Sequence, residues 1–284
     1  MEFQEKNLGE AFSSIDLVGQ CLIDETRSIA FENAIKSVIK NDHTVIDMGT
    51  GSGIMALFAA RSGAQKVYAL EFDNFVFKIA EKNINNSDYS NKIILLEGDA
   101  RNFVYEKGIH LDTVIAEMLT TGMIDEYQVE AVNNLFDQGV VNEKTIFVPK
   151  SQKTYITLVN SNFEIYGFKM KMVKHLWNNL SENQSISKIS NTKILNTISF
   201  SQKNDLFFEK IIKFEIESDG LVNSLYITSE VQLTNILSIK DTETLNAPVV
   251  WPIDDVQAKK GDTLEYKISY RFGGGYQNFN ITKI

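Results

Sequence analysis

A chain of 284 residues lies near the upper size for one hydrophobic core, so two packed units are the first expectation. Its 43% hydrophobic and 23% charged content excludes a largely disordered polymer, and no apolar run reaches the length that spans a bilayer. A formal net charge of −9 disfavours nucleic acid, whose phosphates it repels, and favours a cationic substrate or partner.

Residues 1–25 carry Glu2, Glu5, Glu10 and Asp16 and lack the basic-then-apolar layout of a secretory leader. The single Cys21 forms no intramolecular disulfide or thiolate metal cluster, and with three scattered histidines no metal is expected. Both point to the cytoplasm. Over residues 24–39, Ala30, Phe31, Ala34, Ile35, Val38 and Ile39 recur at the spacing of one helical face. Residues 44–48 form a β-branched run that ends in glycines, and a helical pattern resumes over 54–60; the alternation repeats at 66–70 and 75–83. Further apolar strands are predicted at 92–96 and 112–116, and a helix over 126–135. Such alternation predicts a doubly wound, Rossmann-like parallel sheet covered on both faces.

Past Pro149 the pattern changes. Ile212, Phe214 and Ile216 alternate with Lys213, Glu215 and Glu217, and Asp219-Gly220 offers a hairpin turn into 221–233. Leu264, Tyr266, Ile268, Tyr270 and Phe272 alternate with polar residues, as in an antiparallel sheet with one wet face. The expected division is therefore 1–148 for an α/β ligand-binding unit and 149–284 for a β-rich, barrel-like unit. An excursion from the latter, over 170–182, reads as partly helical. His43 and His110 read as polar loop residues, and Trp251 as core.

The sharpest local signal is Asp47-Met48-Gly49-Thr50-Gly51-Ser52-Gly53-Ile54, where a strand meets a glycine turn that opens a helix. Gly49, Gly51 and Gly53 permit positive φ and close backbone approach to a ligand at the carboxyl edge of the sheet. Ile54 stands where a dinucleotide fingerprint wants a small residue, which disfavours NAD. S-adenosylmethionine needs a glycine-lined pocket without a pyrophosphate cradle, and it fits this turn. Glu71, closing the next strand, can accept from ribose hydroxyls, and Asp99, beside Ala100 after the third strand, from an adenine amino group.

These stretches, with Phe58-Ala59-Ala60-Arg61-Ser62-Gly63-Ala64 and Val67-Tyr68-Ala69-Leu70-Glu71, resemble the cofactor block of the protein arginine methyltransferase family, a class I S-adenosylmethionine-dependent group. Upstream, Asp24-Glu25-Thr26-Arg27-Ser28 resembles its N-terminal helix, and Ile146-Phe147-Val148-Pro149 and Lys259-Lys260-Gly261-Asp262 its β-barrel. The resemblance implies that Arg27 takes the cofactor carboxylate. The cofactor set it suggests is Arg27, Asp47, Gly49, Gly51, Gly53, Glu71, Asp99, Ala100 and Glu117, releasing S-adenosylhomocysteine. It also implies that Glu117 and Glu126 hold the acceptor, because two facing carboxylates suit a forked, permanently charged guanidinium.

The implied activity is methyl transfer to a guanidino or other basic nitrogen of a protein, peptide or small molecule. The implied assembly is a homodimer with an arm near 169–195. The chain departs from the family at its acceptor-lining motifs. Leu8, Gly9 and Phe12 occupy a Tyr-Phe-x-x-Tyr segment, Met118-Leu119-Thr120-Thr121 replaces Trp-Met-Gly-Tyr, and the Thr-His-Trp loop before Pro248 is missing, since His175 is the last histidine. The alternatives are a biosynthetic small-molecule N- or O-methyltransferase on the same scaffold and a non-catalytic cofactor-binding protein.

Overall fold

The computed structural model describes residues 14–177 and 186–284, and so excludes Leu8, Gly9 and Phe12. Two helices, α1 (Ile15–Ile23) and α2 (Glu25–Val38), precede the first strand. Asp24 separates them: its side chain accepts from the backbone N–H of Arg27, satisfying one of the free donors at the start of α2. Phe31, Ala34 and Ile35, on the apolar face read from the sequence, are fully buried.

β1 (Thr44–Met48), α3 (Ile54–Arg61), β2 (Lys66–Glu71), α4 (Asn74–Asn85), β3 (Ile93–Glu97), β4 (Thr113–Ala116), α5 (Gln128–Asp137) and β5 (Ile146–Val148) follow. The five strands form one parallel sheet in the order β3-β2-β1-β4-β5. The chain winds outward from β1 to β3 and then crosses back to β4, so neighbouring connections leave β1 and β4 in opposite directions. A crevice opens at the carboxyl ends of those two strands, where open α/β sheets bind ligands.

The second half is antiparallel. β6 (Ser151–Ser161) pairs with Gly220–Gln232, which pairs in turn with Val249–Ala258. Lys174–His175 adds to the far edge, on Val249 and Val250. Phe207–Glu215, Thr263–Arg271 and Asn280–Lys283 form a three-stranded sheet, giving this half its barrel-like character. No helix among the described residues is long and apolar enough to cross a membrane.

Three local readings are corrected by tertiary structure. Asp219-Gly220 does not join a paired hairpin, because Phe207–Glu215 pairs with Thr263–Arg271 while Gly220–Gln232 belongs to the other sheet. A turn signal marks a reversal; it does not choose the partner. Residues 170–177 contain the short strand Lys174–His175 and no helix, and the rest of the excursion read as helical lies partly outside the described residues. The helix read over 126–135 begins at Gln128, leaving Glu126 in the turn before it. His43 lies in the loop before β1, as read from the sequence, and is buried there with its Nδ1 2.9 Å from Thr113 Oγ1.

The connection from Glu117 to Glu126 is pinned by the antiparallel half. Tyr270, fully buried, donates its hydroxyl to the Gly122 carbonyl at 2.8 Å and accepts from Asn196 Nδ2 at 2.6 Å. The backbone N–H of Gly122 donates to Ser229 Oγ at 3.0 Å, and Thr121 Oγ1 to the Ala247 carbonyl at 2.7 Å. Tyr270→Phe leaves a buried carbonyl and a buried amide without this partner and should lower the unfolding free energy by about 1–3 kcal/mol. Urea denaturation measures this, and an unchanged midpoint would remove Tyr270 from the linkage.

Candidate active site

A cavity of about 240 Å³ opens at the carboxyl ends of β1, β2 and β4. Leu17, Val18 and Cys21 of α1 and Arg27 of α2 line one side, and His175, Trp177, Asn246 and Tyr276 of the antiparallel half line another. The turn after β1 forms its floor. Gly49 has φ +70°, and a Cβ there would come within 3.2 Å of Met118 Cγ; Gly51 has φ +55°, with Val18 Cγ1 3.4 Å from a notional Cβ. The backbone favours glycine at both positions, and at Gly49 the close approach of Met118 does so too. Gly53, also expected at the ligand, does not line the cavity: it opens α3 and faces Ile84.

The other predicted residues meet there: Arg27, Asp47, Gly49, Gly51, Glu71, Asp99, Ala100, Glu117 and Glu126. Glu71, 3% exposed, accepts from Gly51 N–H at 2.8 Å on Oε2 and from the Phe72 and Asp73 N–H groups at 2.9 and 3.0 Å on Oε1. Three of its roughly four lone-pair positions are thus committed to shaping the turn. Burial raises its pKa against these bonds. Asp47 accepts from Thr50 Oγ1 at 2.5 Å, and burial pushes its carboxyl up to about 7.

The Arg27 guanidinium donates through Nη2 to Glu117 and through Nη1 to the Cys21 carbonyl at 2.8 Å. Nε has no partner among the described residues. Burial pulls this guanidinium below its usual range, opposed by the nearby Asp24, Asp47 and Glu126 carboxylates. Arg27 makes no ion pair with Asp24 among the described residues, since the Asp24 carboxylate accepts from the Arg27 backbone N–H and from Thr242 and Thr244. Glu126 is partly buried, and burial with the adjacent Asp125 pushes its carboxyl up to about 8, Arg27 acting the other way.

Asp99 is bound by Arg101, whose Nε lies 3.0 and 2.9 Å from the two carboxylate oxygens, and Arg101 stacks 4.1 Å over Tyr127. Sequence reasoning missed Arg101, although its place two residues after a site carboxylate was a usable signal. It also missed Asp125, His175, Trp177, Asn246 and Tyr276; the last four belong to the antiparallel half and come to the cavity from segments far away in sequence, with no local signature. His175 Nε2 lies 2.7 Å from the Tyr276 hydroxyl, and burial lowers its pKa.

An open parallel sheet with a glycine turn and acidic residues at its carboxyl edge defines a nucleotide-type cofactor enzyme. Residues 25–185 match the family model described as Ribosomal protein L11 methyltransferase (PrmA). An uncharacterized protein of Methanocaldococcus jannaschii is 31% identical over 92% of this chain and 93% of its own length. Protein arginine N-methyltransferase 1 of Saccharomyces cerevisiae is 25% identical, covering 89% of this chain and 81% of that protein. The Trypanosoma brucei PRMT1 enzyme-prozyme heterotetrameric complex with AdoHcy contains a chain of the same fold, with a TM-score of 0.74 at 14% identity over 96% of this chain and 98% of that one.

The chain belongs to the PrmA methyltransferase family. It is an S-adenosylmethionine-dependent class I methyltransferase that resembles the protein arginine methyltransferases.

The Glu126 carboxyl has a stability consequence whose sign is set by its shift. Its folded pKa of about 8 lies above the ordinary 4.5, so the folded state holds the proton more tightly and stability falls as pH rises between those values. Glu126→Gln removes this dependence. Relative to the native chain, the variant should gain stability from about pH 5 to about pH 8, as read from urea midpoints at the two pH values. A constant difference between the two would contradict the raised pKa.

Proposed function

We propose that the chain transfers a methyl group to a guanidino or other basic nitrogen of a protein, peptide or small molecule, with Glu117 and Glu126 receiving the acceptor cation. The observation that carries this is the convergence of Glu117, Asp125 and Glu126 on one cavity beside the Gly49–Gly51 turn. A ribosomal protein in the description of the matched family and protein arginine in the name of the yeast relative favour a basic nitrogen on a protein.

When bound, S-adenosylmethionine supplies an electrophilic methyl group on a sulfonium. The residues present fit it. The orphaned Nε of Arg27 is a free donor for a carboxylate, the remaining lone pair of Glu71 Oε2 can take a hydroxyl, and Gly49 and Gly51 keep the floor open. Asp47, Asp99 and Ala100 complete the wall. A cation entering beside Glu126 favours its carboxylate form, so acceptor binding strengthens as pH rises toward the range in which that group ionises. The paired carboxylates then concentrate positive charge on one side of the acceptor and orient the nitrogen that reacts.

We assign residues 1–148 to the cofactor and 149–284 to acceptor and dimer contacts, in the cytoplasm. Support for the division is the end of the parallel sheet at Val148 and the start of β6 at Ser151. Support for a homodimer is the exposed apolar surface at the start of the arm and in the hairpin that leads into it, where Met172 is 60% and Tyr166 and Phe168 are 97% and 68% exposed. Sedimentation equilibrium should find a dimer that Phe168→Asp with Met172→Asp converts to monomers. A native monomer would reject the arm.

For the active site, Glu117→Gln or Glu126→Gln should each lower turnover by about a hundredfold or more, and the double variant by much less than the product, because the two act on one group. Glu71→Ala should instead weaken S-adenosylhomocysteine binding by about 1–3 kcal/mol in calorimetry. Near-native turnover of both Gln variants on an acceptor found by screening would rule out the clamp. Cofactor binding without turnover on any acceptor would favour the non-catalytic alternative.

A further inference from the structure

Asn246 lies on the segment between Ser238–Ile239 and Val249–Ala258, in the stretch before Pro248 where the chain departs from the arginine methyltransferase pattern. It lines the cavity alongside Thr244 and Ala247 and is 2% exposed. Neither Nδ2 nor Oδ1 has a partner among the described residues. Its backbone has φ +52°, a conformation that asparagine tolerates better than most side chains. That tolerance does not account for the amide: glycine would serve the turn without burying two polar atoms.

The segment is held from two sides. Asp24 Oδ2 accepts from the Thr244 N–H at 3.0 Å and the Thr244 hydroxyl at 2.9 Å, tying it to the start of the helix that carries Arg27. Thr121, between Glu117 and Glu126, donates to the Ala247 carbonyl at 2.7 Å. Asn246 is therefore stationed between the two ends of the site, and buried polar groups in native proteins are almost always satisfied by something.

We propose that Asn246 is a specificity-determining residue that pairs with a peptide group of the acceptor, so that the cation methylated here is one carried by a peptide or protein. This rests on the reading of Glu117 and Glu126 as the cation's holders. A side-chain amide offers a donor and an acceptor in one plane, and a peptide group answers both. A guanidinium or ammonium alone only donates and leaves Nδ2 unmatched; a carboxylate only accepts and leaves Oδ1 unmatched.

Calorimetry on the full chain saturated with S-adenosylhomocysteine tests this with two pairs of ligands: N-acetylarginine N-methylamide against n-butylguanidine, and N-acetyllysine N-methylamide against n-butylamine. In at least one pair the amide-bearing member should bind the native chain about tenfold more tightly, the scale of one or two neutral hydrogen bonds. Asn246→Gly, which keeps the backbone conformation and removes the amide, should abolish the preference. Asn246→Asp, which keeps the shape and loses the donor, should reduce it, and serves where glycine loosens the segment. Equal binding within both pairs, or a preference that survives in the variants, overturns the role of Asn246 and leaves the clamp standing. If none of the four cations binds a native chain that binds S-adenosylhomocysteine, the clamp fails and this assignment fails with it.

Discussion

The site is organised around a buried ion pair. The side chains of Arg27 and Glu117 are 8% and 11% exposed and meet in the lining of the cavity, one from α2 and the other from just past the end of β4. Neither charge can be left alone at such a depth without a large desolvation cost, so each element has to present its residue to the other. Asp24 anchors α2 at its first turn, and the parallel pairing of β4 with β1 sets Glu117 beside the glycine turn. A pair of this kind adds little net stability compared with apolar packing, but it specifies register between helix and sheet. Among the described residues it also leaves Arg27 Nε buried without a partner.

The antiparallel half supplies what the parallel sheet cannot. An open α/β sheet presents loops at one edge, and such loops are mobile unless something packs on them. Here Tyr270, Ser229 and the Ala247 carbonyl hold the Thr121–Gly122 segment, so the carboxylates on either side of it sit on a braced connection. The same half closes the cavity with His175, Trp177 and Tyr276, whose hydroxyl and imidazole satisfy one another. This wall of the cavity is thus built by residues far apart in the chain.

Likeness to the arginine methyltransferases is distributed unevenly. A TM-score of 0.74 accompanies 14% identity, as expected when fold depends on apolar periodicity and turn chemistry more than on particular side chains. The departures fall at Met118–Leu119–Thr120–Thr121 and before Pro248, both of which border the cavity. The fold is kept while two segments that border the cavity differ from the family's pattern.

The sequence by itself determined the parallel sheet, the glycine turn and the residues at its edge, because these are encoded within a few positions of one another. Alternation of β-branched and helical stretches locates the strands, and the residue that ends each strand in a doubly wound sheet faces the ligand edge. Glu71, Asp99 and Glu117 were legible for that reason. Tertiary structure alone decided that Gly53 faces Ile84 and that Phe207–Glu215 pairs with Thr263–Arg271. It alone brought His175, Asn246 and Tyr276 to the cavity. Period and turn chemistry are local properties of the chain, whereas strand partners and the sharing of hydrogen-bond capacity among buried groups depend on residues brought together only when both halves have packed.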